Sequence, residues 1–395
     1  MQEAYIVAFK RSAFAKAKKG GFRFMRSDDL AVLVIMELLK DFPQIEKSQI
    51  DDLIVGCANP EGEQGLQIGR QIALRALGEK VPGITINRYC ASGLESIAIA
   101  TAKIRAGMGE IYVAGGIESM SMIPLEGYKL AVNYSVSESN PDYVIGMGLT
   151  AEAVANKYKI SRDAQDEFSF QSHRKAASAQ QRNFFAKEIC NIDVNEVKVV
   201  NNKRTLSSYS VSQDEGIRPD TTIDALSKLK PVFSLKGSVT AGNSSQTTDG
   251  AGFVLVMSES KVKELNLKPI AKLVSCSVAG VDPLYMGIGP CAAIPKALHA
   301  AQLRLSDIQL IELNEAFASQ SLAVIQEAGL NPEITNVNGG AIALGHPLGC
   351  SGARLSMTLI NELQMRNQKF GLVTACVGGG QGIAGVFEVL YLLRN

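Results

Sequence analysis

The feature that most constrains this chain is an internal repeat. The stretch Leu30 to Leu39, followed by Ser48-Gln49-Ile50 and the apolar run Leu53-Ile54-Val55, returns roughly 260 residues later as Ala292 to Leu298, Ser306-Asp307-Ile308 and Leu310-Ile311. The likeness continues with Cys90-Ala91-Ser92-Gly93, which opens a helix-length stretch to Ile104 and leads to the run Ile111 to Gly116. Its counterpart, Gly349-Cys350-Ser351-Gly352, opens a stretch to Leu363 and leads to Leu372 to Gly379. In both thirds strand-like runs alternate with amphipathic helical stretches, the pattern of layered α/β domains. Two copies of one α/β unit, packed with a catalytic cleft between them, account for this most simply.

Between the copies, from about Ser119 to Gly242, the composition shifts to Asn, Ser, Gln, Lys and Asp, with helical stretches at Ala151 to Tyr158 and Ser161 to Gln181. This reads as a lid-like insertion. Its Ser-rich piece Thr205 to Gln213 and the turn-prone Glu215-Gly216-Ile217-Arg218-Pro219-Asp220 read as exposed loops, where binding residues often sit. At 395 residues the chain is long enough for two or three domains.

A net charge of +1 gives no reason to expect nucleic acid as a partner. The one basic run, Lys10-Arg11 through Lys16, Lys18, Lys19, Arg23 and Arg26, reads as a solvated loop. Ala4 to Phe9 reads as a strand rather than as a signal peptide, and no apolar stretch reaches the roughly 18 residues that a membrane-spanning helix needs. The ending Leu393-Arg394-Asn395 is no peroxisomal address, so the expected location is the cytoplasm. Seven scattered cysteines argue for reduced thiols, and only three histidines, with no Cys-x-x-Cys pair, argue against a metal site.

Cys90 stands where a strand-like run ends and a helix begins. A helix N-terminus favours a thiolate, and Ala91, Ser92 and Gly93 let a carbonyl approach; a buried structural cysteine is the alternative. His346 lies among the glycines of Gly339 to Gly349, where the backbone can approach a ligand closely, and Pro347 follows it. It is a better candidate base than His173 or His299, which sit on helical patterns, although a histidine satisfied by hydrogen bonds reads equally well. Cys376 ends an apolar strand before Gly378-Gly379-Gly380-Gln381-Gly382, whose N–H groups can cup an oxyanion. The formal Gly-x-Gly-x-x-Gly at Gly380, Gly382 and Gly385 is set aside as a dinucleotide site, because strand-like Val386 to Leu393 follows it instead of a helix. Asn314, in Asn314-Glu315-Ala316-Phe317-Ala318, stands at the edge of a sheet, as a ligand contact or as a helix cap.

Taken in order, Asn87 to Gly93, Val239 to Ser245, Met286 to Pro290, Asn314 to Ala318, Gly339 to Gly352 and Cys376 to Gly382 resemble the thiolase family over essentially the whole chain. The resemblance implies an α/β thiolase-like fold, two repeated βαβαβαββ domains in layers with an inserted loop domain. The boundaries expected are 1–118 with 243–270, then 119–242, then 271–395. It also implies roles. Cys90 takes the acyl group as a thioester, His346 activates that thiol, and Cys376 moves the proton at the α-carbon. One oxyanion hole is formed by His346 and a water held by Asn314, and a second by the N–H groups of Cys90 and Gly378. Arg218 is expected at the coenzyme A nucleotide, and Ser245, Ala241, Met147 and Phe317 along the pantetheine and acyl chain.

Coenzyme A enters as a substrate, and neither cofactor nor metal is implied. The expected assembly is a homodimer, with a dimer of dimers left open. Gly146 stands where short-chain biosynthetic thiolases usually carry a histidine, which favours a broad 3-ketoacyl-CoA thiolase of fatty acid β-oxidation over an acetoacetyl-CoA thiolase. Two readings of other classes are a catalytically silent coenzyme A-binding protein and a nicotinamide-dependent oxidoreductase resting on the Gly380 pattern alone.

Overall fold

Alternation along the strands decides the architecture. In Asp52–Gly56, Leu53 and Val55 join one apolar cluster and Ile54 another; in Thr248–Ser258, Phe253, Leu255 and Met257 part in the same way from Val254 and Val256. Successive side chains of a strand point to opposite faces, so each of these strands is covered on both sides. The computed structural model describes residues 2–200 and 202–390 and carries twelve strands. These are β1 Ala4–Arg11, β2 Ala15–Lys16, β3 Asp52–Gly56, β4 Gly83–Ile86, β5 Ile111–Ser119, β6 Ile192–Val200, β7 Lys203–Val211, β8 Thr248–Ser258, β9 Ala271–Gly280, β10 Leu310–Leu313, β11 Phe370–Val377 and β12 Gln381–Val389.

The main sheet runs β10-β11-β12-β9-β1-β8-β5-β3-β4, with β2 beside β8. The halves meet at a single antiparallel register, Ile6 opposite Ala271, and the order reads outward alike from that point. β1, β8, β5 and β3 on one side correspond to β9, β12, β11 and β10 on the other. In place of β4, the second half has an isolated bridge between Ile311 and Thr335. Helices Ser27–Lys40 and Ile68–Ala76 cover one outer face, and Gly289–Ala301 covers the corresponding face of the other half.

Helices Ser92–Arg105 and Leu348–Met365 pack together against the inner faces of both halves. Glycine makes their crossing close. A Cβ on Gly93 would lie 2.6 Å from the Ala353 nitrogen, and one on Gly352 would lie 2.3 Å from the Leu94 nitrogen. Backbone cannot yield as a flexible side chain can, so any larger residue at either position would push the helices apart. The Ser-Gly pairs of the repeated motif therefore form one joint, and it brings the starts of the two helices together.

In the second half β11 passes to β12 through Gly378, Gly379 and Gly380, with Gly379 and Gly380 at φ +78° and +83°. In the first half the corresponding connection, from β5 to β8, holds the insertion, residues 120–247, with helices Met147–Lys157 and Arg162–Gln181 and the β6–β7 hairpin. The Ser-rich piece Thr205 to Gln213 is therefore not a loop. Most of it lies in β7, paired residue by residue with β6, and it stays polar because that hairpin is largely exposed.

The basic run is not simply a solvated loop either. Arg11 is fully buried and donates from Nε to Glu188 at 3.0 Å and from Nη1 and Nη2 to Asp214 at 2.8 and 2.9 Å, tying β1 to the insertion. Removing one partner of such a pair costs roughly 3–5 kcal/mol, because the remaining charge stays buried. Phe14 and Phe22 are buried, whereas Phe24, Lys18 and Lys19 face solvent. After Gly380, Gly382 and Gly385 the chain continues as β12 to Val389; the rest of the strand expected to Leu393, and the terminal Leu393-Arg394-Asn395, lie outside the described residues.

Candidate active site

Cys90 lies in a single 3-10 turn, Tyr89–Ala91, that joins β4 to helix Ser92–Arg105. Tyr89 is left-handed at φ +42°, a strained conformation for a residue with a side chain. Its N–H donates to Asn87 Oδ1 at 2.8 Å, the Arg88 N–H donates to Ser92 Oγ at 2.9 Å, and that hydroxyl donates to the Tyr89 carbonyl at 2.8 Å. These bonds hold the turn tight and bring its backbone N–H groups round to the sulfur. The Cys90 thiol faces its own N–H and that of Gly378.

Both N–H groups favour a thiolate, yet burial outweighs them and pushes the Cys90 pKa up to about 12. The favourable effect of the helix start is thus outweighed, and Cys90 rests protonated. Its neighbours are Ala58, Met120 and Leu348, with Ala17 at the edge.

His346 supplies a base of suitable form. The ring is buried rather than mobile, and its backbone N–H donates to the Gln246 carbonyl at 3.0 Å. Ser351 Oγ donates to the Pro347 carbonyl at 2.9 Å and so receives the hydrogen of His346 Nδ1 at 2.5 Å. That arrangement leaves Nε2 unprotonated, accepting from Asn314 Nδ2 at 3.2 Å. Burial, then the charge of Arg354, lower the His346 pKa to about 3, so the ring is neutral at ordinary pH. Asn314 is not a helix cap, since the helix Ala318–Glu327 begins after Phe317. Its Oδ1 is buried with no partner among the described residues.

Cys376 is the penultimate residue of β11 and packs with Phe317, Met286, Ala316, Val239 and Ala151, with Met147 against them. Burial, followed by the nearby Cys90, raises its pKa well above the ordinary thiol value. Met147 reaches toward the glycine turn as well, its Sδ lying 3.9 Å from where a Cβ on Gly378 would be. The structure thus links Cys90 to Gly378 and Cys376, and Cys376 and Gly378 in turn to Met147 and Phe317, while His346 is paired with Asn314.

The Ser245 N–H donates to the Ala316 carbonyl at 2.9 Å, which places it beside Phe317. Ala241 and Arg218 are not in this cluster. Both are exposed, and the Arg218 backbone N–H donates to His173 Nδ1 at 3.2 Å. Two residues escaped the sequence reading. Ser351 was visible only as one position of the repeated Ser-Gly pair. Phe233, from the insertion, meets the Phe317 ring edge-on with centroids 6.0 Å apart, and no motif marks it. Among the described residues no group of His, Cys, Asp or Glu is arranged to hold a metal ion.

Two buried cysteines, Cys90 and Cys376, close enough to act on each other by charge, and a buried histidine paired with an asparagine are the reactive groups that the duplicated α/β unit carries. The chain belongs to the thiolase family: residues 4–260 match the model of the thiolase N-terminal domain and residues 267–389 that of the C-terminal domain. It is 51% identical to a 3-ketoacyl-CoA thiolase of Bacillus subtilis (strain 168), covering 98% of this chain and 100% of the relative. A 3-ketoacyl-CoA thiolase of Saccharophagus degradans is 44% identical over 98% of each chain. The crystal structure of the Bacillus anthracis acetyl-CoA acetyltransferase superposes with a TM-score of 0.89 at 39% identity over 99% of both chains.

Proposed function

We propose that this acyltransferase is a 3-ketoacyl-CoA thiolase, which uses coenzyme A to cleave a 3-ketoacyl-CoA into acetyl-CoA and a shortened acyl-CoA. The observation that carries the reading is the buried, protonated Cys90 together with a histidine whose free Nε2 is held by Asn314. His346 Nε2 takes the Cys90 proton, and the thiolate attacks the 3-keto carbon. The N–H groups of Cys90 and Gly378 receive the negative oxygen of the tetrahedral adduct. The bond between the α- and β-carbons then breaks, its electron pair passing to the acetyl-CoA enolate, and Cys376 delivers its proton to the α-carbon. The His346 Nε2–H, with a water accepted by the otherwise unpartnered Asn314 Oδ1, steadies the enolate oxygen. Coenzyme A next gives its thiol proton to the Cys376 thiolate and takes the acyl group from Cys90, which recovers its own proton from His346.

In this reading Arg218 meets the nucleotide of coenzyme A, and Ala241, Ser245, Met147 and Phe317 follow the pantetheine and acyl chain. The domains divide at 1–118 with 243–270, 119–242 and 271–395. The protein works as a cytoplasmic homodimer in β-oxidation; no helix among the described residues is long and apolar enough to cross a membrane.

The acetyl-CoA acetyltransferase likeness supports a second reading, a biosynthetic acetoacetyl-CoA thiolase. Gly146 favours the first. Thiolysis rates on a ladder of 3-ketoacyl-CoA lengths decide between them: activity extending to medium and long chains is expected, and activity confined to acetoacetyl-CoA would reverse the choice. Trapping of the acyl adduct on any cysteine other than Cys90 would overturn the mechanism.

A further inference from the structure

Glu118 stands near the end of β5, fully buried and in no ion pair among the described residues. It is instead ringed by donors. Oε2 accepts from the N–H groups of Ala58 and Gly349, both at 2.9 Å, and Oε1 from Gln64 Nε2 at 2.7 Å and the Asn59 N–H at 3.4 Å. Cys57 Sγ lies 3.9 Å from Oε1, again on the donor side. Every one of these hydrogen bonds among the described residues is one that the carboxyl accepts, which selects the ionised carboxylate. Burial raises the Glu118 pKa above the ordinary carboxylate value, and the hydrogen bonds from Gln64, Ala58, Gly349 and Asn59 hold that rise back.

The elements tied to Glu118 are the ones that line the Cys90 thiol. Ala58 is a wall residue itself, Gly349 follows the wall residue Leu348, and Met120 lies two residues beyond Glu118. Gln64 locks the arrangement, since its Oε1 accepts from the Ser119 N–H while its Nε2 also donates to the Asn59 carbonyl at 2.8 Å. Gly349 belongs to the first turn of helix Leu348–Met365, where an anion is favoured by the free N–H groups and the helix dipole.

We propose that Glu118 is a positioning residue, a charged clamp that gathers three walls of the Cys90 pocket from both halves of the chain and holds a fixed negative charge beside the nucleophile. The proposal rests on Cys90 being the acylated residue. Burial is what mainly disfavours ionisation of the thiol, and the charge adds to it through space. Glutamine cannot replace it. Its NH2 must face either the Ala58 and Gly349 N–H groups or the Gln64 and Asn59 donors, and Gln64 cannot turn over without losing its bonds to Ser119 and Asn59.

The test compares wild type, Glu118→Gln, Glu118→Asp and Gln64→Met. Acylation of Cys90 by acetyl-CoA is followed by mass spectrometry, and alkylation of Cys90 by iodoacetamide is followed from pH 6 to 10 by peptide mapping. Glu118→Gln is expected to slow acylation roughly 10- to 100-fold, the scale of unsatisfied buried donors, with coenzyme A affinity within about twofold of wild type. Its alkylation profile should move to lower pH, because the charge opposing the thiolate is gone; a purely structural role would not produce that shift. Glu118→Asp keeps the charge and should keep the wild-type profile. If Glu118→Gln lacks a cooperative melt, Gln64→Met takes its place: it removes one donor, keeps the charge, and should slow acylation several-fold with the profile unmoved. Acylation at the wild-type rate in a folded Glu118→Gln or, in its place, in Gln64→Met, or an unmoved alkylation profile in a folded Glu118→Gln, overturns the proposal. Failure of the wild type to acylate Cys90 instead overturns the thiolase reading, and the alkylation profiles still report on the clamp.

Discussion

Replacing Ser351 by Ala tests whether His346 is held in one tautomer. The hydroxyl of Ser351 is the partner of His346 Nδ1, and its own hydrogen is committed to the Pro347 carbonyl. Without it, Nδ1–H is left in a fully buried site with no acceptor, at a cost of about 1–3 kcal/mol. The tautomer protonated on Nε2 escapes that cost, though it gives up the bond from Asn314 Nδ2, and it cannot accept the Cys90 proton. If the whole penalty falls on the reactive form, acylation of Cys90 slows by about 5- to 150-fold. The assay is the single-turnover rate of acetyl transfer from acetyl-CoA to Cys90, measured beside the melting temperature and the affinity for coenzyme A. The affinity for coenzyme A should change little, and the melting temperature should fall by no more than that cost allows. A single-turnover rate within twofold of wild type would refute the tautomer argument. A rate loss matched by a loss of folded protein would refute it as well.

Cys376→Ala should still accept radiolabelled acetyl on Cys90 but should not exchange the methyl protons of acetyl-CoA with deuterated solvent; exchange at the wild-type rate would make His346 the base at carbon. Arg218→Ala should raise the KM for coenzyme A more than it lowers kcat, because a remote contact gives mostly uniform binding, and a pure kcat loss in steady-state kinetics would count against it. His173 is buried and, through desolvation first and the charge of Arg218 next, has its pKa lowered to about 4. Its folded-state pKa lies below the unfolded value near 6.5, so the unfolded chain gains the proton first as the pH falls. Stability is therefore full above about pH 6.5 and drops by up to about 1.4 kcal/mol per pH unit between there and pH 4 from this residue. His173→Gln should flatten the fall of the urea midpoint from pH 7 to pH 5, and an unchanged slope would contradict the buried neutral state.

Local chemistry wrote much of this molecule plainly. The repeat carried the correspondence of β3 with β10 and of β5 with β11, because each copy buries the same faces of the same elements; that of β1 and β8 with β9 and β12 came only from the sheet order. The turn at Cys90 and the glycines after Cys376 were legible for the same reason: tight backbone geometry demands particular residues at adjacent positions. What stayed hidden depends on partners distant in sequence. Arg11 looked solvated because Glu188 and Asp214 lie 177 and 203 residues away. The resting state of the Cys90 thiol could not be read from its helix start, since burial by Ala58, Met120 and Leu348 opposes that effect and prevails. Ser351 is the exception, since its partners Pro347 and His346 are close in sequence; it was overlooked because only the turn into helix Leu348–Met365 brings its hydroxyl to the imidazole. Ser207, Ser208 and Ser210 read as loop because an exposed hairpin needs no apolar side.

The interruption between β5 and β8 also bears on how the chain is made. β8 pairs along its length with both β1 and β5, and it emerges from the ribosome only after residues 120–247. At roughly 5–20 residues per second, the nascent first half waits on the order of ten seconds with its sheet open at the centre. The second half has no such wait, because β12 follows β11 across three glycines. Contacts this distant in sequence slow folding. The unfinished edges of β1 and β5 are apolar and unpaired for that interval, so a newly made chain is most exposed to aggregation and most in need of a chaperone before residue 258 is out.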